Sequence, residues 1–122
     1  MAHKRKILLF DDEMDEISKL YIGLLLNDFL VEATTDPSEI ADRTKRFEPD
    51  IVIINNDVPG FDGHEVCALV KRQMNKPIVL MIDKNSAQPA KIDSCSADEI
   101  IMKPIDIGQM LETVKRLLAT YQ

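Results

Sequence analysis

Five short apolar runs, at 7–10, 29–33, 51–54, 78–82 and 100–102, recur along the chain with amphipathic stretches between them. Four of the runs are nearly continuous in Ile, Val, Leu or Met, the pattern of strands buried on both faces of a parallel sheet. The run at 29–33 alternates more and suits an edge. The intervening stretches carry helix signals. Ile17, Leu20, Tyr21 and Leu24 repeat at i, i+3, i+4, i+7. Asp36-Pro37-Ser38-Glu39 reads as a capping box with proline at the first helical position, opening a helix to about Phe47. Asp62-Gly63-His64-Glu65 opens another, with Val66, Cys67, Val70 and Met74 inward, and Asp106 opens the last, with Ile107, Met110, Leu111, Val114, Leu117 and Leu118 as its stripe. The weak element is 84–97, where Pro89 allows only a short helix starting from a Ser86 cap. These elements predict an α/β (βα)5 chain, a doubly wound three-layer sandwich around a five-stranded parallel sheet.

The 122 residues show no repeat, no low-complexity stretch and no linker, so a single domain spanning 1–122 is expected. The formal charge of -6 argues against nucleic acid and anionic membrane as partners, because their phosphates would be repelled. The basic trio Lys4-Arg5-Lys6 precedes only four apolar residues, too few for a signal peptide or a transmembrane helix, which predicts a cytoplasmic protein. Cys67 and Cys95 lie far apart without CxxC spacing and read as packed thiols.

In doubly wound folds the functional crevice lies at the carboxyl ends of the strands. Here those ends carry Asp11-Asp12-Glu13, Asn55-Asn56-Asp57, Ile82-Asp83 and Lys103-Pro104. Paired aspartates with an oxygen from a neighbouring strand suit a hard cation such as Mg²⁺, and a lysine there neutralises acids or holds a phosphoryl oxygen.

Four features in order, Asp11-Asp12-Glu13, the loop from Asp57 through Val58-Pro59-Gly60-Phe61-Asp62 to Gly63, Ser96-Ala97-Asp98, and Lys103-Pro104, resemble the receiver domain of two-component response regulators over nearly the full length. The resemblance implies a flavodoxin-like fold. In that family an aspartate four residues before the loop proline accepts a phosphoryl group from a histidine kinase, and here that position is Asn55. It further implies that Asp11 and Asp12 are the acidic pair, with Asp12 the more direct Mg²⁺ ligand. Asn55 and the backbone carbonyl of Asp57 match the remaining metal positions, Lys103 matches the lysine that contacts the phosphoryl group, and Lys103-Pro104 is expected to be cis. Two more positions depart from the pattern. Ile82 stands where the family has a Ser or Thr hydroxyl, and Ile100 stands where it often has an inward-turning Tyr or Phe.

Acceptor, hydroxyl and switching aromatic belong to one mechanism, and all three are absent. The expectation is a pseudo-receiver that is not an enzyme, requires no cofactor and binds Mg²⁺ weakly or not at all. It would act by contact with a protein, a sensor kinase or a downstream regulator, or with a second copy of itself. The surface would be the face of the fourth helix, fifth strand and fifth helix, including Lys91, Ile100, Gln109 and Met110. The alternative is a conventional phosphorylatable receiver whose acceptor has been changed to Asn55 or shifted to Asp57. An enzyme using the acids and Lys103 for Mg²⁺-dependent phosphoryl chemistry is disfavoured, because no phosphate-cradling glycine loop follows the first strand. Asp57 otherwise reads as a solvated loop acid, His64 as a solvated residue beside the pocket, His3 as part of a flexible terminus, and Met74, Met81, Met102 and Met110 as core filler.

Overall fold

Residues 3–83 and 97–121 are described by the computed structural model of the chain. Five strands, β1 (Lys6–Phe10), β2 (Leu30–Thr34), β3 (Ile51–Asn55), β4 (Ile78–Asp83) and β5 (Glu99–Lys103), form one all-parallel sheet in the order β2-β1-β3-β4-β5. The order reverses between β1 and β3, the switch point at which such sheets open a crevice. Among the described residues the helices are α1 (Met14–Leu25), α2 (Ile40–Phe47), α3 (Gly63–Gln73) and α4 (Ile107–Thr120), with a 3₁₀ turn (Pro37–Glu39) leading into α2. The expected short helix within 84–97, its Ser86 cap, Lys91 and Cys95 lie outside the described residues.

The alternation of strand side chains sorts the core into two layers. Ile7, Leu9, Ile51, Ile53, Val79, Met81 and Ile101 meet Ile17, Leu20 and Leu24 of α1 and Met110, Val114, Leu117 and Leu118 of α4. Leu8, Phe10, Val52, Ile54, Ile78 and Leu80 face the other way, onto Ile40 of α2 and Cys67 and Val70 of α3. Helices on both faces make the three-layer sandwich, and they explain why the strands of runs 7–10, 51–54 and 78–82 read as continuously apolar. β2 is indeed an edge strand, shifted to Leu30–Thr34, with Phe29 buried just before it. No helix among the described residues is long and apolar enough to cross a membrane.

The caps follow local chemistry. Asp62 Oδ1 accepts from the N–H groups of His64 and Glu65, and Asp106 Oδ1 from those of Gly108 and Gln109. Asp36 caps the 3₁₀ turn through the Ser38 N–H, but the expected capping box is only half made. Glu39 turns away from the cap to accept from Thr34 Oγ1 at 3.1 Å and Arg43 Nε at 2.8 Å, since an ion pair with Arg43 outweighs a bond to a backbone donor. One methionine assignment differs. Met81 and Met110 are core, whereas Met102 is 43% exposed on the edge strand β5. Ile107, on the predicted inner stripe of α4, is partly exposed and lies over Gly23 of α1, where an added Cβ would come within 2.7 Å of its Cδ1.

Candidate functional site

The carboxyl ends of β1, β3, β4 and β5 border a cleft of about 610 Å³ lined by Asp12, Glu13, Glu16, Asn55, Asp57, Asp83, Lys103, Pro104 and Ile105. Its floor is a buried pair. Asp11 and Asn55 are each 1% exposed. The Asn55 amide donates from Nδ2 to Asp11 Oδ1 at 3.1 Å and to Asp12 Oδ1 at 3.3 Å. Its Oδ1 accepts from the Asp57 N–H at 3.1 Å. Asn55 thus ties the end of β1 to the loop after β3, using both ends of its amide in a way a carboxylate could not. Asp11 Oδ1 also accepts from the Glu13 N–H at 3.0 Å. Burial pushes the Asp11 carboxyl above the usual range, and neighbouring Asp12 adds to this. The Glu13 N–H, the Lys103 charge and the Asn55 amide oppose it without cancelling it.

The loop that carries the site is held by three devices. Asn56 extends the β3 ladder through its N–H to Met81 O at 2.9 Å, and its side-chain Oδ1 accepts from the Gly63 N–H at 3.1 Å. A Cβ at Gly63 would come within 2.2 Å of that oxygen, so any side chain there would displace the Asn56 amide from its hydrogen bond. Pro59 and Gly60, the latter at φ 73°, fill the central positions of a type II turn closed by Phe61 N–H to Val58 O at 3.0 Å. Phe61 then packs against Phe10 as a tilted ring pair with centroids 5.2 Å apart.

Asp57 departs from its expected place. Its side chain turns into the cleft instead of into solvent. Oδ2 lies 3.3 Å from Lys103 Nζ and accepts from the Asp83 N–H at 2.5 Å. The pairing of Asp83 with Lys103 across β4 and β5 presents both donors side by side, which draws the carboxylate inward. Nothing local in the sequence around Asp57 signals this, because both partners come from distant strands. The peptide bond from Lys103 to Pro104 is cis. Ile82 is buried at the end of β4, and Ile100 is half-buried against the cluster of Leu8, Val52 and Leu80.

Two expectations about neighbouring residues change, and the one for Cys67 holds. His64 is half-buried rather than solvated, and its Nδ1 is enclosed without a hydrogen-bond partner among the described residues. Met110, expected on a contact face, is fully buried, because the turn of α4 that exposes Gln109 points Met110 at the sheet. Cys67 is a buried thiol packed in the α3 core layer.

A hard cation needs several convergent oxygens. Here the atom facing both Asp11 and Asp12 is the Asn55 nitrogen, a donor that occupies one lone pair on each carboxylate. Among the described residues no group of three His, Cys, Asp or Glu side chains is placed to hold a metal ion. The side chains present therefore fit Mg²⁺ poorly, and no chemical step can be assigned to a bound ion.

Residues 7–115 match the response regulator receiver domain. The fold is shared with a response regulator receiver domain protein (CheY-like) from Methanospirillum hungatei JF-1, at a TM-score of 0.88 and 18% identity, covering 98% of this chain and 97% of that one. It is shared with the Vibrio cholerae chemotaxis protein CheY4, at a TM-score of 0.83 and 21% identity, covering 94% and 99%. A response regulator signal receiver domain from Bermanella marisrubri aligns at 0.84 and 20% identity, covering 95% and 99%. With all but the first residue of its sheet inside the matched span and its acids and lysine at the strand ends, the chain belongs to the response regulator receiver family.

Proposed function

We propose that this receiver domain of two-component signalling works without phosphorylation, as a cytoplasmic, non-enzymatic module of one domain that acts through contact with a protein partner. The observation that carries the reading is the Asn55 amide, hydrogen-bonded on both ends at the position where the family accepts a phosphoryl group. An amide has no anionic oxygen to attack phosphorus, and here its nitrogen is turned toward the acids. Ile82 and Ile100 add support, since neither offers a hydroxyl or a ring to couple the cleft to a distant surface. Mg²⁺ binds weakly through Asp12 and the Asp57 carbonyl. Calorimetric titration should find no submillimolar affinity, and such an affinity would contradict this part of the proposal.

Receivers meet protein partners such as kinases and effectors. For this chain the proposed contact surface is the edge of the sheet at β5 with the start of α4, where Ile100, Met102 and Gln109 reach the surface to different degrees. Met102→Glu, at an exposed position of β5, should abolish partner capture while leaving the thermal midpoint nearly unchanged. Unaltered capture would remove this face from consideration.

A further inference from the structure

We infer that the cleft contains a small-oxyanion site which the protein fills with its own Asp57 carboxylate, so that Asp57 acts as a tethered ligand closing the site to free phosphate. Among the described residues, donors come from two strands, Lys103 Nζ at 3.3 Å and the Asp83 backbone N–H at 2.5 Å, and both converge on Asp57 Oδ2. A cation beside a backbone N–H is the donor set that holds phosphate oxygens elsewhere in proteins. The two donors are fixed independently of Asp57. Asp83 closes β4, and Lys103 pairs with it in register on β5, so removing the carboxylate leaves the backbone N–H fixed and the lysine within reach of the site. The loop is fixed as well, because the Asp57 N–H is bonded to Asn55 Oδ1 and the neighbouring Asn56 is anchored to Met81 and Gly63. Rigid anchoring at both ends makes the carboxylate a local competitor of high effective concentration, in the millimolar range or above. The inference goes beyond the proposed function and holds whether or not the domain acts by partner contact. It assigns the lysine an occupant and explains how a receiver without an acceptor keeps its anion site in one filled state.

Competition makes the site testable with inorganic phosphate. Asp57→Ala removes the occupant, and Asp57→Asn removes only its charge. Titrating phosphate into each while following the Asp83 amide by heteronuclear NMR should give saturable shifts, with an affinity at least about tenfold tighter than in the parent. Glu13, Glu16 and Asp12 around the mouth keep even the variant in the millimolar range. Adding Lys103→Gln to Asp57→Ala should abolish the response. An equal response in the parent would overturn the inference, as would the absence of saturable binding in either variant with a native-like spectrum. The parent gives a further check that needs no variant, a through-hydrogen-bond coupling between the Asp83 amide nitrogen and the Asp57 carboxyl carbon. Its absence would also overturn the inference. None of these readouts depends on whether the parent takes up a phosphoryl group, so failure here leaves the proposed function standing, and the reverse.

Discussion

Asn55→Asp is the substitution whose cost can be worked furthest. Residue 55 is 1% exposed, with Asp11 Oδ1 at 3.1 Å and Asp12 Oδ1 at 3.3 Å from its amide nitrogen. Charge centres about 4 Å apart repel by about 4 kcal/mol per pair at an effective dielectric near 20. Two such pairs, eased by Lys103, exceed what the new carboxyl need bear, because it can stay protonated instead. Holding a group with an ordinary pKa of about 3.9 protonated at pH 7 costs about 4 kcal/mol, at 1.36 kcal/mol per unit, and that is the ceiling on the electrostatic penalty. At pH 5.5 the ceiling falls to about 2 kcal/mol. The sign follows from linkage. A raised folded-state pKa means the folded state binds more protons, so stability is lost as pH rises from the ordinary carboxyl range toward the raised value. A further loss of about 1 kcal/mol, from the missing amide donor, does not depend on pH. Urea unfolding followed by circular dichroism in the presence of EDTA should show the variant's deficit growing by about 2 kcal/mol between pH 5.5 and 7.0. An equal deficit at both pH values, or none at pH 7.0, would refute the electrostatic reasoning.

Other outcomes follow from the same geometry. Asp11, raised chiefly by burial, contributes stability that fades as pH climbs through the window above the ordinary carboxylate range. Asp11→Asn should therefore gain on the parent as pH rises above the ordinary carboxylate range, read from urea midpoints. At the opposite end of the sheet, Asp98 accepts from the Ile78 N–H at 2.8 Å, pairs with Lys71 Nζ at 2.7 Å and is hydrogen-bonded by the Tyr121 hydroxyl. Burial works to raise its carboxyl, but the bonds from Lys71, Tyr121 and Ile78 outweigh burial and hold it below the usual range. Asp98→Asn should cost about 1–3 kcal/mol near neutral pH, and the difference should fade as pH drops through the lowered value, measured by the same unfolding assay. Glu48 closes α2 in the left-handed region at φ 52°, so Glu48→Gly should raise stability by about 0.5–1 kcal/mol in thermal unfolding.

The central strands were legible because burial on both faces forces a run of apolar residues, and the starts of α3 and α4 were legible because Asp62 and Asp106 satisfy donors two and three residues away. What could not be read depends on partners far along the chain. The inward turn of Asp57 depends on an N–H and a lysine from two later strands. The anchoring of Asn56 depends on the lack of a side chain at Gly63, which in sequence looks like an ordinary helix start. The Lys71–Asp98–Tyr121 cluster joins residues separated by up to 50 positions and leaves no local pattern. Met110 was assigned to both the core and a surface, and only the helix phase set by Val114 and Leu117 decides for the core. The departures at Asn55, Ile82 and Ile100, in contrast, are matters of residue identity, defined by what their side chains lack.

The measurement closest to the central claim is intact mass after incubation with Mg²⁺ and phosphoramidate, for the parent and for Asn55→Asp side by side. The account predicts no phosphoryl gain on the parent and a gain on the variant, meaning that the fold can still support the chemistry and only the acceptor is missing. A phosphoryl group on the parent would contradict it, and the carboxylate to map first would be Asp57.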